Sequence, residues 1–209
     1  MSPPRRIWAL ALAAVMVAPA HAVEPVPAVA AQARQRMVDA AVVRGEFEQH
    51  KTLKAFRNPL VSRGTFLVAR DRGVVWNTRE PFASSLVVTR DRLLSRQADG
   101  TVAGSVSARE EPGLRAINEM LFALMAADLQ VLAQRFRVEG ELLGADRWRL
   151  VLLPRDATLA QWVTRIEIEG DRFVRTVRLH EGQGDLSVIR FSQQVSAAAL
   201  TREEAQRFE

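Results

Sequence analysis

Two of the three histidines, one glycine-rich turn and a scatter of carboxylates beside arginines are the residues of this chain with catalytic chemistry within their reach. An imidazole can serve as general base or metal ligand. His50 and His180, however, each stand alone in a stretch of strand-like alternation, with no H-E-x-x-H or other metal spacing around them. Gly182-Gln183-Gly184-Asp185 could offer backbone N–H groups to a phosphate, but it lacks the lysine and the helix start of a phosphate loop. A hairpin turn accounts for it. No G-x-S-x-G elbow occurs. The chain has no cysteine, which removes thiol nucleophiles, cysteine zinc sites, disulfides and the acylated cysteine of a lipoprotein. Asp and Glu are mixed with Arg along the whole chain, so no carboxylate pair stands out. The sequence predicts no catalytic residue, no metal and no cofactor.

What it does offer is apolar surface. From Pro112 to Ala127, Leu114, Ile117, Leu121 and Leu124 recur at helical spacing, and Met120, Phe122 and Met125 widen the apolar arc. Methionine is flexible and suits an adaptable contact surface. Trp76, Trp148 and Trp162 add large contact areas. A plain hydrophobic core would use the same residues.

The first residues predict an exported protein. Arg5 and Arg6 precede an uncharged run from Ile7 to Ala18, Pro19 breaks it, and Ala20-His21-Ala22 supplies small residues for a signal peptidase. That run is shorter than the ~20 residues a membrane span needs. Cleavage after Ala22 by the general secretory route is the expectation, leaving residues 23–209 as a single domain. Loss of Arg5 and Arg6 would take the formal net charge below the +5 of the full chain. The remaining charges alternate in sign instead of forming a block, so a nucleic-acid partner is not expected.

Period changes along the chain set out the elements. Ala30 to Val43 reads as a helix, and the period becomes two from Gly45, with Phe47, Gln49 and Lys51 on one side. Asn58-Pro59 marks a turn. Gly64 to Arg70 places Phe66, Val68 and Arg70 on one face and Thr65, Leu67 and Ala69 on the other. Strands follow at Val74–Thr78, Ser84–Thr89 and Leu93–Gln97, with Asp99-Gly100 as a hairpin signal. After the Pro112 helix, Asp128 caps a second helix over Leu129–Gln134. Strand alternation resumes at Arg135 and runs through Trp148, Leu150 and Leu152, then Val163, Ile166 and Ile168, then Phe173, Val177 and Leu179, then Ile189 and Phe191. A polar helix over Thr201–Phe208 closes the chain. The expected fold is α+β: about ten antiparallel strands in one curved sheet with helices on its concave face.

Several of these segments carry a family likeness. Gly45-Glu46-Phe47-Glu48-Gln49, Pro59-Leu60-Val61-Ser62-Arg63-Gly64-Thr65-Phe66, Gly73-Val74-Val75-Trp76 and Glu80-Pro81 resemble the opening strands of LolA-type periplasmic outer-membrane lipoprotein carriers. Phe136, the Trp148–Pro154 strand and the Gly184-Asp185 to Phe191 hairpin resemble later parts of that family. The resemblance spans roughly 34–194 and looks like a divergent branch. It implies an unclosed β-barrel whose apolar concave side holds acyl chains under a helical lid. Carried over, it implies lipid contacts at Phe47, Phe66, Val68, Trp76, Leu86, Leu121, Leu124, Met125 and Trp148, with Ile117 left unassigned. The family's lid-controlling arginine, six positions before the strand tryptophan, falls on Arg70, with Arg72 as the neighbouring alternative and a snorkelling surface arginine as the plainer reading.

The function so implied is a monomeric periplasmic carrier that moves a lipoprotein or other acylated lipid from an inner-membrane exporter to an outer-membrane acceptor. A sensor or regulatory domain on a similar half-barrel, holding a protein partner, is the alternative. An unrecognised hydrolase is the remote third.

Overall fold

The computed structural model describes residues 27–107, 123 and 128–209. Its frame is one antiparallel sheet of eleven strands: β1 (Val42–Thr52), β2 (Leu60–Ala69), β3 (Gly73–Glu80), β4 (Ser84–Thr89), β5 (Arg92–Gln97), β6 (Val102–Ser107), β7 (Phe136–Leu143), β8 (Arg147–Pro154), β9 (Val163–Gly170), β10 (Val174–Glu181) and β11 (Leu186–Ala197). Across the sheet the order is β6-β5-β4-β3-β2-β1-β11-β10-β9-β8-β7. Two meanders therefore join where β1 pairs with β11. The free edges, β6 and β7, are consecutive in the chain, so the segment linking them connects the two sides of an unclosed barrel. The amphipathic helix expected over Pro112–Ala127 falls in that link; apart from the helical Ala123, which is 1% exposed, it lies outside the described residues.

Period-two alternation gives each strand two faces. One face carries a continuous apolar layer that includes Phe47, Phe66, Val68, Val74, Phe136, Trp148, Leu150, Ile166, Ile168 and Phe191. This concave face is covered by α1 (Ala28–Arg36), through Ala30 and Ala33, and by α2 (Leu129–Arg135), through Leu132. The predicted Asp128 cap is present, its carboxylate accepting from the Val131 N–H at 3.2 Å. A short α3 (Ala157–Trp162), capped by Asp156, leads into β9.

The opposite face has its own small core. Val42, Leu67, Ala69, Val75, Val87 and Leu94 pack with Phe208, which follows α4 (Arg202–Gln206). Thr201 and Glu204 close that helix's N-terminus with a capping box, and buried Glu204 pairs with Arg44 at 3.1 Å. Much of the rest of this face is charged. Glu141, Arg149, Glu169, Thr176, Arg190, Glu48, Arg63 and Glu80 are successive register partners from β7 across to β3, one row over eight strands with alternating sign. Such a row ties strands together while presenting no single-sign field.

Two sequence expectations need correction, and one short helix carries no sequence signal. The first helix ends at Arg36, not Val43: Met37 is already extended, and Val42-Val43, β-branched, begin β1. Among the described residues eleven strands are present, not about ten, because β6 with Gly104 and two serines shows little apolar alternation. The six-residue α3 has too short a period to declare itself in sequence.

Candidate functional site

The apolar face is organised around four rings. Phe47 stacks on Trp76 with centroids 3.8 Å apart and planes at 28°. Phe66 meets Phe191 edge to face at 5.1 Å, and Trp76 meets Phe191 at 6.0 Å and 89°. The edge-to-face pairs add about 0.5–1.5 kcal/mol each beyond their buried area. Pairing register brings them together, since Phe47 lies opposite Phe191 and Phe66 opposite Trp76. Two glycines make room. A Cβ on Gly64 would lie 2.8 Å from the Phe47 ring and 1.9 Å from the Asn77 carbonyl oxygen; one on Gly45 would lie 2.9 Å from Phe66.

Most of the residues singled out for lipid contact share this face. Phe47, Phe66 and Val68 are buried in it, Trp76 and Leu86 are half-buried against it, and Trp76 and Leu86 are register partners. Trp148 belongs to the same layer but is a sealed position. It is 1% exposed, its Nε1–H donates to the Asp171 carbonyl at 2.7 Å, and its ring lies over Gly170. Leu121, Leu124 and Met125, like Ile117, lie outside the described residues. Phe191, which is not among the residues the family resemblance implies, completes the cluster, and its spacing of two from Ile189 is the sequence signal that could find it.

At one end of the face a small pocket of about 60 Å³ opens between the sheet and the α1–β1 link. Its floor is Phe66, Val68 and Phe191; its mouth carries Arg34, Arg70 and Arg172. Arg70 sits one residue past β2 on the side of Phe66 and Val68, as alternation requires. It donates to the Asp39 carboxylate and to the Ala40 carbonyl at 3.1 Å, while its own N–H donates to the Ala41 carbonyl at 2.9 Å. Arg34 reaches the same Asp39 oxygen at 2.9 Å. The hydrogen bonds from Arg70 and then Arg34 hold the Asp39 carboxyl below its usual range. Arg72 points elsewhere, lining a separate surface depression with Arg90, Arg92 and Phe208.

Catalytic geometry is not assembled around the histidines. His50 lies 2.7 Å from Glu48 and His180 lies 3.2 Å from Glu167, both on the charged face. Among the described residues no three His, Cys, Asp or Glu side chains cluster as metal ligands would.

A model of the family described as "Outer membrane lipoprotein carrier protein LolA" matches residues 39–206, which takes in all eleven strands and every described helix except α1. The chain belongs to the LolA family. Solved structures of similar fold include a LolA superfamily protein from Nitrosomonas europaea, 8% identical over 84% of this chain and 94% of that one, at a TM-score of 0.46. Another is a DUF1329 family protein from Desulfovibrio piger, 11% identical over 87% of this chain and 94% of that one, at a TM-score of 0.47. Among curated proteins none matches this sequence. Because the LolA match begins at Asp39, the clasp formed by Arg34, Asp39 and Arg70 straddles its boundary: two members lie inside it, while Arg34 belongs to the helix that precedes it.

Proposed function

We propose that this protein is a periplasmic carrier that holds the acyl chains of a lipoprotein or other acylated lipid against its concave face. Export by the leader ending at Ala22 would put it in that compartment, between an inner-membrane exporter and an outer-membrane acceptor. The observation that carries the reading is the single apolar layer running over all the central strands of an unclosed sheet, with an arginine clasp at its mouth. Burying a methylene gains about 0.8 kcal/mol, so one ~16-carbon chain gains on the order of 12 kcal/mol by leaving water. Unaided diffusion of such a lipid through an aqueous compartment is negligible, and a carrier that shelters the chain removes that barrier.

Release needs a second state. A carrier that fills its own interior when empty gives its cargo up more readily than one that must leave a cavity. The four packed rings, and a void of about 60 Å³ with room for a few waters only, fit an empty, contracted state. In this reading cargo parts the rings and its chain lies along the apolar layer of Phe47, Phe66 and Phe191, with Leu121, Leu124 and Met125 proposed as further lipid contacts.

Native mass spectrometry of protein purified from the periplasm without detergent tests the proposal. An added acyl-lipid mass is the expected result. A bare chain that instead co-purifies with a signalling protein would favour the regulatory alternative and end the carrier reading.

A further inference from the structure

The mouth of the apolar pocket is cationic beyond what its own acid balances. Three arginines, Arg34, Arg70 and Arg172, stand around it. One carboxylate, Asp39, answers two of them, and both guanidinium groups converge on the same oxygen, Oδ1. Arg172 has no acidic partner among the described residues; its guanidinium lies over the Phe173 ring, 5.2 Å from the centroid. Arg175, which shares that ring, is committed to Asp171 and Gln194. Directly beneath the arginines lie Phe66, Val68 and Phe191, so cationic donors and an apolar floor meet within one small opening.

An amphiphile matches that arrangement when its headgroup is an anion. Guanidinium groups present planar paired donors suited to carboxylate and phosphate oxygens, and such charge-assisted bonds are about twice as strong as neutral ones. Resting on the carrier reading, we propose that the cargo is an acylated lipid with a negatively charged headgroup, seated on Arg34, Arg70 and Arg172 with its chain over Phe66 and Phe191. Asp39 is the internal stand-in for that headgroup. It holds the arginines in place in the empty protein and is displaced when the lipid arrives, which loosens the α1–β1 link and opens the pocket. Arg34 stands on α1, before the stretch that the family model matches.

Two lysolipids of equal chain length test it, palmitoyl lysophosphatidylglycerol (anionic) and palmitoyl lysophosphatidylcholine (zwitterionic), each titrated below its micellar threshold into the full mature chain. The expected result is a preference for the anionic lipid of roughly tenfold at low salt, the value of one good charge-assisted contact. The preference should fall to within about twofold in the Arg34→Gln/Arg172→Gln variant and shrink with salt, because exposed charges are screened. Asp39→Asn, which removes the competing carboxylate while leaving the arginines, should tighten anionic binding, a gain that mere loss of structure would not produce. Equal binding of both lipids by the unaltered protein overturns the headgroup proposal and leaves the carrier reading standing. Binding of neither overturns both.

Discussion

Arg70 and Asp39 join the end of β2 to the link between α1 and β1, across the mouth of the apolar pocket. The contact is reinforced by the 3.1 Å bond from Arg70 to the Ala40 carbonyl and by a backbone bond from the Arg70 N–H to Ala41. Removing the side chain therefore leaves the backbone connection in place.

From that follows the first prediction. Arg70→Leu should fold normally, since an exposed ion pair adds little to stability, but should exchange the amide protons of 38–41 faster and pass lipid to acceptor vesicles more slowly. Hydrogen exchange and a fluorescent-lipid transfer assay measure the two effects. Unchanged transfer would show that Arg70 plays no part in the cycle. Arg72→Leu serves as the comparison, because Arg72 lines a different depression and should leave transfer as it was.

Why the side of the sheet that Arg70 takes could be read from sequence, with the choice between Arg70 and Arg72 left open, and why Arg34 could not, follows from the kind of information involved. Alternation from Phe66 through Val68 is local, and it carries on to Arg70, one residue past the strand. The strands, the Asp128 cap and the Phe47–Phe66–Trp76 side of the sheet were legible for the same reason. Arg34 reaches the mouth only because α1 stops at Arg36, and the Met37, Val38 and Ala41 spacing looks equally helical whether the chain continues or turns. Those residues are apolar because they line the pocket or pack on the core, not because they share a helix face. Phe191's place in the ring cluster depends on its pairing with Phe47, far away in sequence.

Glycine substitutions separate crowded from open positions. Gly64→Ala puts a methyl 1.9 Å from the Asn77 carbonyl oxygen and against the Phe47 ring, so both backbone and the aromatic cluster must shift. A loss of about 1–3 kcal/mol in urea unfolding is expected. Gly104→Ala, with nothing within 4 Å of the new carbon, should be neutral or stabilise by up to about 1 kcal/mol through reduced freedom of the unfolded chain. Equal effects at both sites would contradict the packing described.

Acid should weaken the sheet through Glu169 and Asp171. Burial pushes the Glu169 carboxyl up, but Arg178 at 2.9 Å and Arg149 at 3.1 Å outweigh it and hold the group below its ordinary 4.5. Burial likewise pushes Asp171 up and is outweighed by the Phe173 N–H and Arg175. Both are lowered on folding, so their contribution is complete above the ordinary carboxylate range and disappears as pH falls through the folded values. Urea midpoints should be level from pH 7 to about 5 and fall below about 4.5. Glu169→Gln should lower the neutral plateau and flatten that fall.

The rings themselves can report cargo. Trp76 is half-buried and stacked on Phe47, so a chain that parts the pair must change its surroundings, whereas Trp148 is sealed and bonded to Asp171. Trp162 is 68% exposed and contributes background only, which Trp162→Phe removes. In the mature Trp162→Phe protein, adding an acyl lipid should alter the emission and quencher access of Trp76 and leave the Trp148 contribution constant. Phe191→Ala, which opens a hole beside Trp76, should cost about 3–5 kcal/mol of stability and make Trp76 accessible to quencher even without lipid. The two effects distinguish a cluster that closes on itself from a rigid core: a rigid core would lose stability on truncation yet show no response of Trp76 to lipid in the intact protein.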